Sequence, residues 1–303
     1  MKLIKTLLIV MNIFIVHVQF SCTSPGSLID KNVSKNHYYS SFKTSVIFAT
    51  MGGDCFSIGC KEIEGSDIDT FKPLNNFYGS DKNYVYYKDD KIAGADMNTF
   101  RPLSEIYAVD KEYVYFGSKK ISGENSGDFK TVDGAYAIGK KVYWIGRVLP
   151  SADPNTFETA TIQNEKRTGY YGEDKNAIFC LEKQLSNQPT LFKQLHKNGY
   201  FSDRNKVYYI YSCESFDADP KTFEFIYKKD GSESHYGKDF KRVFLLLIGL
   251  HKTIEGADPK TFEVLLCSNA ALDFAKDKNH VYKNGVVIKE AHPNTFEFPA
   301  ECK

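Results

Sequence analysis

Five Asp-x-Asn pairs set side-chain oxygens two residues apart: Asp81/Asn83, Asp153/Asn155, Asp174/Asn176, Asp203/Asn205 and Asp277/Asn279. Oxygen ligands at alternate positions open the loops that hold calcium. Such a loop also needs a third acidic ligand and a bidentate Glu downstream, and neither follows here at a constant distance. Short polar side chains in a recurring turn more often accept hydrogen bonds from nearby backbone N–H groups. A structural role is therefore the leading expectation for these aspartates.

The cysteines offer different chemistry. Besides Cys22, six are present: Cys55, Cys60, Cys180, Cys213, Cys267 and Cys302. An even number in an exported chain points to disulfides, although six cysteines allow about 15 pairings. Cys55 and Cys60 flank a short hairpin tip. Cys267 and Cys302 lie at nearly equivalent places after Phe262 and Phe296, which leaves Cys180 and Cys213 for each other. The spacings match no zinc pattern, and no His lies within four residues of these six. The seven His residues form no His-x-x-x-His pair, and the chain carries no Gly-x-Ser-x-Gly elbow, phosphate-binding Gly loop or dinucleotide fingerprint. No catalytic residue, metal or cofactor is expected. With 39 basic and 38 acidic residues, the charge balance gives no reason to expect a nucleic-acid partner.

These residues ride on a repeat. Thr-Phe recurs at Phe71, Phe100, Phe157, Phe223, Phe262 and Phe296, with Phe129 and Phe192 in register, at spacings of 28 to 39 residues. A second anchor, Tyr-x-x-Asp-x-x-x-Val-Tyr, precedes most of them, as in Tyr78/Asp81/Val85/Tyr86 and Tyr107/Asp110/Val114/Tyr115. Phe48 to Phe56 reads as a faint first copy. The Val-Tyr-Tyr segments favour strands. Asn284-Gly285 is a two-residue hairpin signal. Gly-Ala-Asp-Pro-x-Thr-Phe reads as an Asp-capped single turn whose Phe enters the core. About eight units of three short strands each are expected. No unit can bury its aromatic face alone, so the units must stack. The expected fold is all-β, built from tandem repeats of short strands and hairpins, as a β-propeller-like ring or a β-solenoid. In Val85-Tyr86-Tyr87, alternation sets Tyr86 opposite its neighbours. One face must be core, and the other is an ordinary surface or a platform for sugars.

The phrases Asp81-Lys82-Asn83-Tyr84-Val85-Tyr86-Tyr87 and Asp277-Lys278-Asn279-His280-Val281-Tyr282, with Gly-Ala-Asp-Pro-x-Thr-Phe-Glu at 256–263, resemble the signature of the bacterial DKNYY repeat family. The resemblance runs over roughly residues 48–298. It implies a bacterial, often exported repeat protein and brings no catalytic residues.

The N-terminus fits export. Lys2 and Lys5 precede an apolar stretch from Leu7 to Val16, the pattern of a signal peptide over residues 1–21, with a transmembrane anchor as the alternative. Ser21-Cys22 resembles the end of a bacterial lipoprotein signal, in which the cysteine is acylated; Gln19 departs from the usual aliphatic residue. Residues 22–44 read as a polar tether and 45–303 as the repeat array. The expected function is a non-enzymatic envelope protein that binds a protein or glycan through its repeat surface and meets the membrane through Cys22. The alternative is a carbohydrate-active hydrolase, which would need two or three carboxylates converging in one pocket.

Overall fold

The polar signature phrases close small antiparallel sheets. In a computed structural model of the 303-residue chain, the described residues are 25–50, 59–162, 165–166, 169–247, 250–267 and 273–302. The leader expected over 1–21, Cys22 and Cys55 lie outside them. The described residues hold eight four-stranded sheets, with strands paired in chain order in most, and one short two-stranded hairpin. The only helical segments among them are three-residue 3₁₀ turns at Pro189–Leu191, Ile210–Ser212 and Ala300–Cys302. The chain divides into two compact units, split between Gly127 and Asp128. Three of the four-stranded sheets fall in the first and five in the second.

The second sheet illustrates the plan. Its strands are Lys72–Pro73, Tyr78–Ser80, Val85–Tyr87 and Asp90–Lys91. Tyr78 pairs with Tyr87 and Ser80 with Val85. Each sheet thus has four strands rather than three. The strand that follows each Thr-Phe opens the next sheet, and the three residues that begin with the anchor Tyr form a further strand. In the eighth sheet Lys283 pairs with Val286 across Asn284 and Gly285, which take φ of 49° and 75°, as a tight hairpin requires.

Both faces of a sheet are buried. Tyr86 and Phe71 pack with Val46, Phe48 and Ile63 of the first sheet. Tyr78 and Val85 pack with Ala108 and Tyr115 of the third. The Tyr86 ring is therefore core, not a platform facing solvent. Thr-Phe rings bridge the aromatics of two successive sheets: Phe100 lies 5.5 Å from Tyr78 and 5.5 Å from Tyr115, and Phe262 lies 5.3 Å from Tyr236 and 5.4 Å from Tyr282. In the second, fifth and seventh sheets the residue after the anchor Tyr is a glycine that the preceding Phe ring covers, whereas Tyr200 is followed by Phe201, on which Phe192 stacks. A Cβ on Gly79 would stand 2.5 Å from the Phe71 ring.

The first sheet corrects the expected tether. Pro25–Leu28, His37–Ser40, Val46–Ala49 and Cys60–Glu62 pair into one sheet, so residues 25–44 belong to the array. The polar run Asp30-Lys31-Asn32 is a turn, with Asn32 N–H bonded to Asp30 Oδ1. Here Ser40 takes the place of the anchor Asp; its Oγ accepts the N–H groups of Thr44 and Ser45 at 2.9 and 3.1 Å.

His37 takes the place of the anchor Tyr in this sheet. It is fully buried, with Ser34 Oγ at 2.7 Å from Nδ1 and no partner on Nε2. Burial alone pushes its pKa down to about 4. The unfolded chain therefore takes up this proton first. The stability that neutral His37 permits is complete above about pH 6.5 and is lost as pH falls towards about 4, a loss of about 3 kcal/mol. We expect His37→Phe to flatten the urea-unfolding stability across that window. Identical pH profiles for the two proteins would refute the assignment.

Candidate functional site

The signature aspartates work on the backbone. Asp81 Oδ1 accepts the N–H of Asn83 and Tyr84 at 2.7 and 2.8 Å. Its Oδ2 accepts the Tyr86 hydroxyl at 2.7 Å and the backbone N–H of Asp67, the capping Asp of the preceding turn, at 2.7 Å. Asp110 and Asp277 repeat all four bonds. Asp203 keeps three and takes the Ser186 hydroxyl as its fourth. Burial pushes these carboxyls up, but the converging donors outweigh it and hold Asp81, Asp110, Asp203 and Asp277 below the usual range. The rest of the phrase is used as well. Thr261 Oγ1 accepts Lys278 N–H at 3.1 Å, and Lys278 Nζ pairs with Asp258 at 3.1 Å. Both carboxylate oxygens of Asp81, Asp110, Asp203 and Asp277 are already committed to N–H or O–H donors. Among the described residues no group of three His, Cys, Asp or Glu side chains could hold a metal ion.

The two exposed tyrosines of the signature, Tyr84 and Tyr113, are covered too. Lys91 Nζ lies 4.5 Å from the first ring centre and Lys120 Nζ 3.5 Å from the second. Each ring thus has a lysine over one face and stays partly exposed, 46% for Tyr84 and 40% for Tyr113.

A site appears where the repeat breaks. In four repeats the anchor Tyr hydroxyl donates to backbone carbonyls of the next sheet, as Tyr78 does to Ile106 and Tyr171 to Ile210. In the sixth repeat Tyr200 bonds instead to His251 Nε2 at 3.2 Å. His251 comes from a lengthened hairpin of the seventh sheet, Val243–Leu247 with Leu250–Thr253. Its ring stacks on Phe216 at 4.9 Å and 10°. Burial pulls its pKa below the ordinary value, partly countered by Glu214. Where the two sheets forgo this clamp, a cleft of about 620 Å³ opens.

The cleft is built from the sixth sheet's first turn and an insertion in the seventh. Residues 227–235 join Glu224–Ile226 to Tyr236–Lys238, where the second sheet needs only 74–77. Asp230 Oδ1 fixes the insertion by accepting Ser232 N–H and Oγ–H at 2.9 and 2.7 Å. Its far end is anchored by contact of His235 Nδ1 with Asp273 Oδ2. Across the mouth, Glu233 takes Lys197 Nζ at 2.8 Å and Asn198 Nδ2 at 2.9 Å. Those donors, the lysine first, hold the Glu233 carboxyl below the usual range, and the same pairing raises Lys197. Tyr211 and Tyr227 line the opening, each 48% exposed.

The cysteines pin sheets together. Cys180 is bonded to Cys213 with Cα atoms 5.6 Å apart, which ties the fifth sheet to the turn that carries Tyr211. Cys267 and Cys302, 4.7 Å apart at Cα, fasten the C-terminal turn beside the eighth sheet. Cys60 is also disulfide-bonded. Such bonds belong to a protein that folds in an oxidising compartment. No helix among the described residues is long and apolar enough to cross a membrane. Tyr200 and Tyr209 belong to the repeated phrase, whereas Lys197, Asn198, Tyr227 and Glu233 depart from it and are not candidates in the sequence.

Four-stranded meanders that share aromatic cores with their neighbours, six of the eight closed by one buried Asp, define a tandem β-repeat protein. The DKNYY family model matches residues 48–183, 136–265 and 241–301, and the chain belongs to that family. No curated protein and no solved structure is detectably similar to it.

Proposed function

We propose that this chain is an exported, non-enzymatic binding protein of a bacterial cell envelope, held at the membrane by acylation of Cys22, with the cleft between its sixth and seventh sheets as the binding site. The observation that carries the reading is the replaced clamp at Tyr200. The repeat seals its sheets with a Tyr–backbone bond, and at this position the sequence supplies His251 and an insertion and leaves a lined opening. The size lies within the range of ligand sites, about 300–1,000 Å³. The Cys180–Cys213 and Cys267–Cys302 disulfides and the bonded Cys60 suit an envelope location, and the basic, apolar start that ends in Ser21-Cys22 supports export and anchoring.

The cleft chemistry favours binding over hydrolysis. Glycosidases work with two carboxyls about 5–10 Å apart. Glu233 is the one carboxylate lining this cleft, and it is tied to Lys197 and Asn198. His235 faces Asp273, but the neighbouring Ser234 hydroxyl is bonded to the Ile226 carbonyl and accepts Tyr236 N–H. It is no nucleophile for that histidine.

The test has two parts. Intact mass and detergent partitioning of the native protein should give a lipid-modified chain beginning at Cys22, and Cys22→Ala should release it from membranes. The secreted chain should bind isolated envelope fractions saturably, with retention reduced by Tyr227→Ala. An unmodified, soluble native chain would overturn the anchoring, and no envelope retention would overturn the binding role.

A further inference from the structure

We infer that the hairpin tip of the first sheet, residues 41–45 with Phe42 at its end, docks on the lipid bilayer that holds the acylated Cys22. The inference rests on the anchoring proposed above and names the protein surface that meets the membrane.

Covalent reach comes first. Cys22 precedes Pro25 by three residues. Each residue spans at most about 3.6 Å, so Pro25 lies within about 11 Å of an acylated Cys22. Pro25 pairs with Ser40, the last residue of the second strand, and a Cβ on Gly26 would stand 3.1 Å from Ser41 Cα. The chain therefore enters this sheet at the end from which the tip projects. Val33, in the turn between the first two strands, lies at the opposite end.

The tip is an insertion into the repeated turn. Ser40 N–H bonds to the carbonyl five residues on, at Ser45, where Asp81 N–H in the second sheet bonds three residues on, at Tyr84. The longer turn is well ordered. Ser40 Oγ accepts Thr44 and Ser45 N–H, and Lys43, at φ 52°, donates its N–H to the Ser40 carbonyl at 2.8 Å. Phe42 stands on it 90% exposed, more than any other large apolar side chain among the described residues. In the corresponding turns Lys82, Lys111 and Lys278 reach back to an Asp of the preceding turn.

Position and charge favour a bilayer over a soluble partner. A single exposed apolar residue is ordinary on a protein surface. This one shares the sheet end where the anchored chain arrives, and the interfacial layer of a bilayer is about 5–8 Å deep on each side. Residues 37–50 contain no acidic side chain, and Lys43 is the neighbour of Phe42. A ring that enters the headgroup boundary beside a cation that stays among lipid phosphates is the chemistry of interfacial contacts.

The mature chain beginning at Cys22 should be joined through that thiol to a single myristoyl chain and mixed with vesicles of phosphatidylcholine and phosphatidylglycerol. One such chain binds only marginally, with a constant of about 10⁴ M⁻¹, so a second contact shows directly. Phe42→Ser should lower partitioning about tenfold with an unchanged melting temperature, as expected for one ring leaving the interface. Phe42→Trp should keep the partitioning. Its emission should shift to the blue and be quenched by brominated lipid chains, above the background of Trp144, and Val33→Trp should show neither change. Partitioning indifferent to Phe42→Ser overturns the inference, as does equal quenching at positions 33 and 42. If Phe42→Ser leaves vesicle partitioning intact but weakens retention by envelope fractions, the tip belongs to a protein partner and the bilayer contact is refuted. An unmodified Cys22 in the native chain overturns the anchoring alone, because the tip is judged on the synthetic attachment in either case.

Discussion

Asp110→Ala is expected to destabilise the first unit by about 4 kcal/mol, read as a fall in the urea midpoint at constant slope. The carboxylate accepts the N–H of Glu112 and Tyr113 at 2.8 and 2.7 Å, the Tyr115 hydroxyl at 2.6 Å, and Asp96 N–H at 3.0 Å. Alanine leaves all four donors without that acceptor, and Tyr115 is fully buried. Each buried donor left unsatisfied costs about 1–3 kcal/mol. Water can reach part of the turn, which keeps the total below a simple sum. Asp110→Asn preserves the shape but turns an amide NH₂ towards donors, so most of the loss should remain. Asp69, exposed one turn away in the preceding repeat, is the control; its removal should stay within about 0.5 kcal/mol. Equal effects at the two positions would refute the account.

The same bonds fix the acid response. The folded Asp110 carboxyl lies below its ordinary value of 3.8, because its donors together outweigh burial. Its contribution is therefore complete above that value and is lost as pH falls through the lowered folded pKa. His37 acts earlier, from about pH 6.5 down to about 4. Acid unfolding should thus have two separable origins: His37→Phe removes the upper one and leaves the lower one in place.

Much of this architecture is legible in the sequence because one unit is written many times. Thr-Phe and Tyr-x-x-Asp mark the rings and turns that the fold uses, and Asn284-Gly285 marks its hairpin. The segment Tyr78-Gly79-Ser80 is not legible as a strand. Gly and Ser have poor strand propensity, and Gly79 is there to receive the Phe71 ring from the turn before it. Residues 25–44 read as a tether for a related reason: Ser40 does the work of the anchor Asp with a hydroxyl, and the loop after it is lengthened, so the phrase disappears while the bonds remain.

The cleft is hidden for the opposite reason. Tyr200 reads like any other anchor Tyr, and only the folded chain shows that its hydroxyl meets a histidine 51 residues away. One signal was available. The longest interval between anchors, 39 residues from Phe223 to Phe262, falls on the seventh repeat. That interval contains the inserted loop with Glu233 and His235 and the lengthened hairpin with His251. In a repeat protein whose signature residues are consumed by folding, the departures from the repeat are the places to look for a ligand.

The ring that bridges two sheets sets the second large effect. Phe157→Ala should cost about 4 kcal/mol and lower the melting temperature of the second unit by about 10 °C. Phe157 is buried, 5.2 Å from Tyr136 of one sheet and 5.8 Å from Phe179 of the next, with its tip over Gly172. Removing it opens a cavity shared by both sheets, so neither can close it without moving the other. Gly172→Ala attacks the same contact from below. Its methyl would collide with the Phe157 ring, an overpacking that costs about 1–3 kcal/mol. The double variant separates this packing from two independent losses. Once Phe157 is gone, the alanine methyl enters space the ring has vacated, and its cost should vanish or turn into a small gain. The summed single losses should therefore exceed the measured double loss by about 1–3 kcal/mol. Additive losses would mean that the glycine is not there for the ring, and the rule that pairs Phe71, Phe157 and Phe223 with a glycine in the following strand would fail with it.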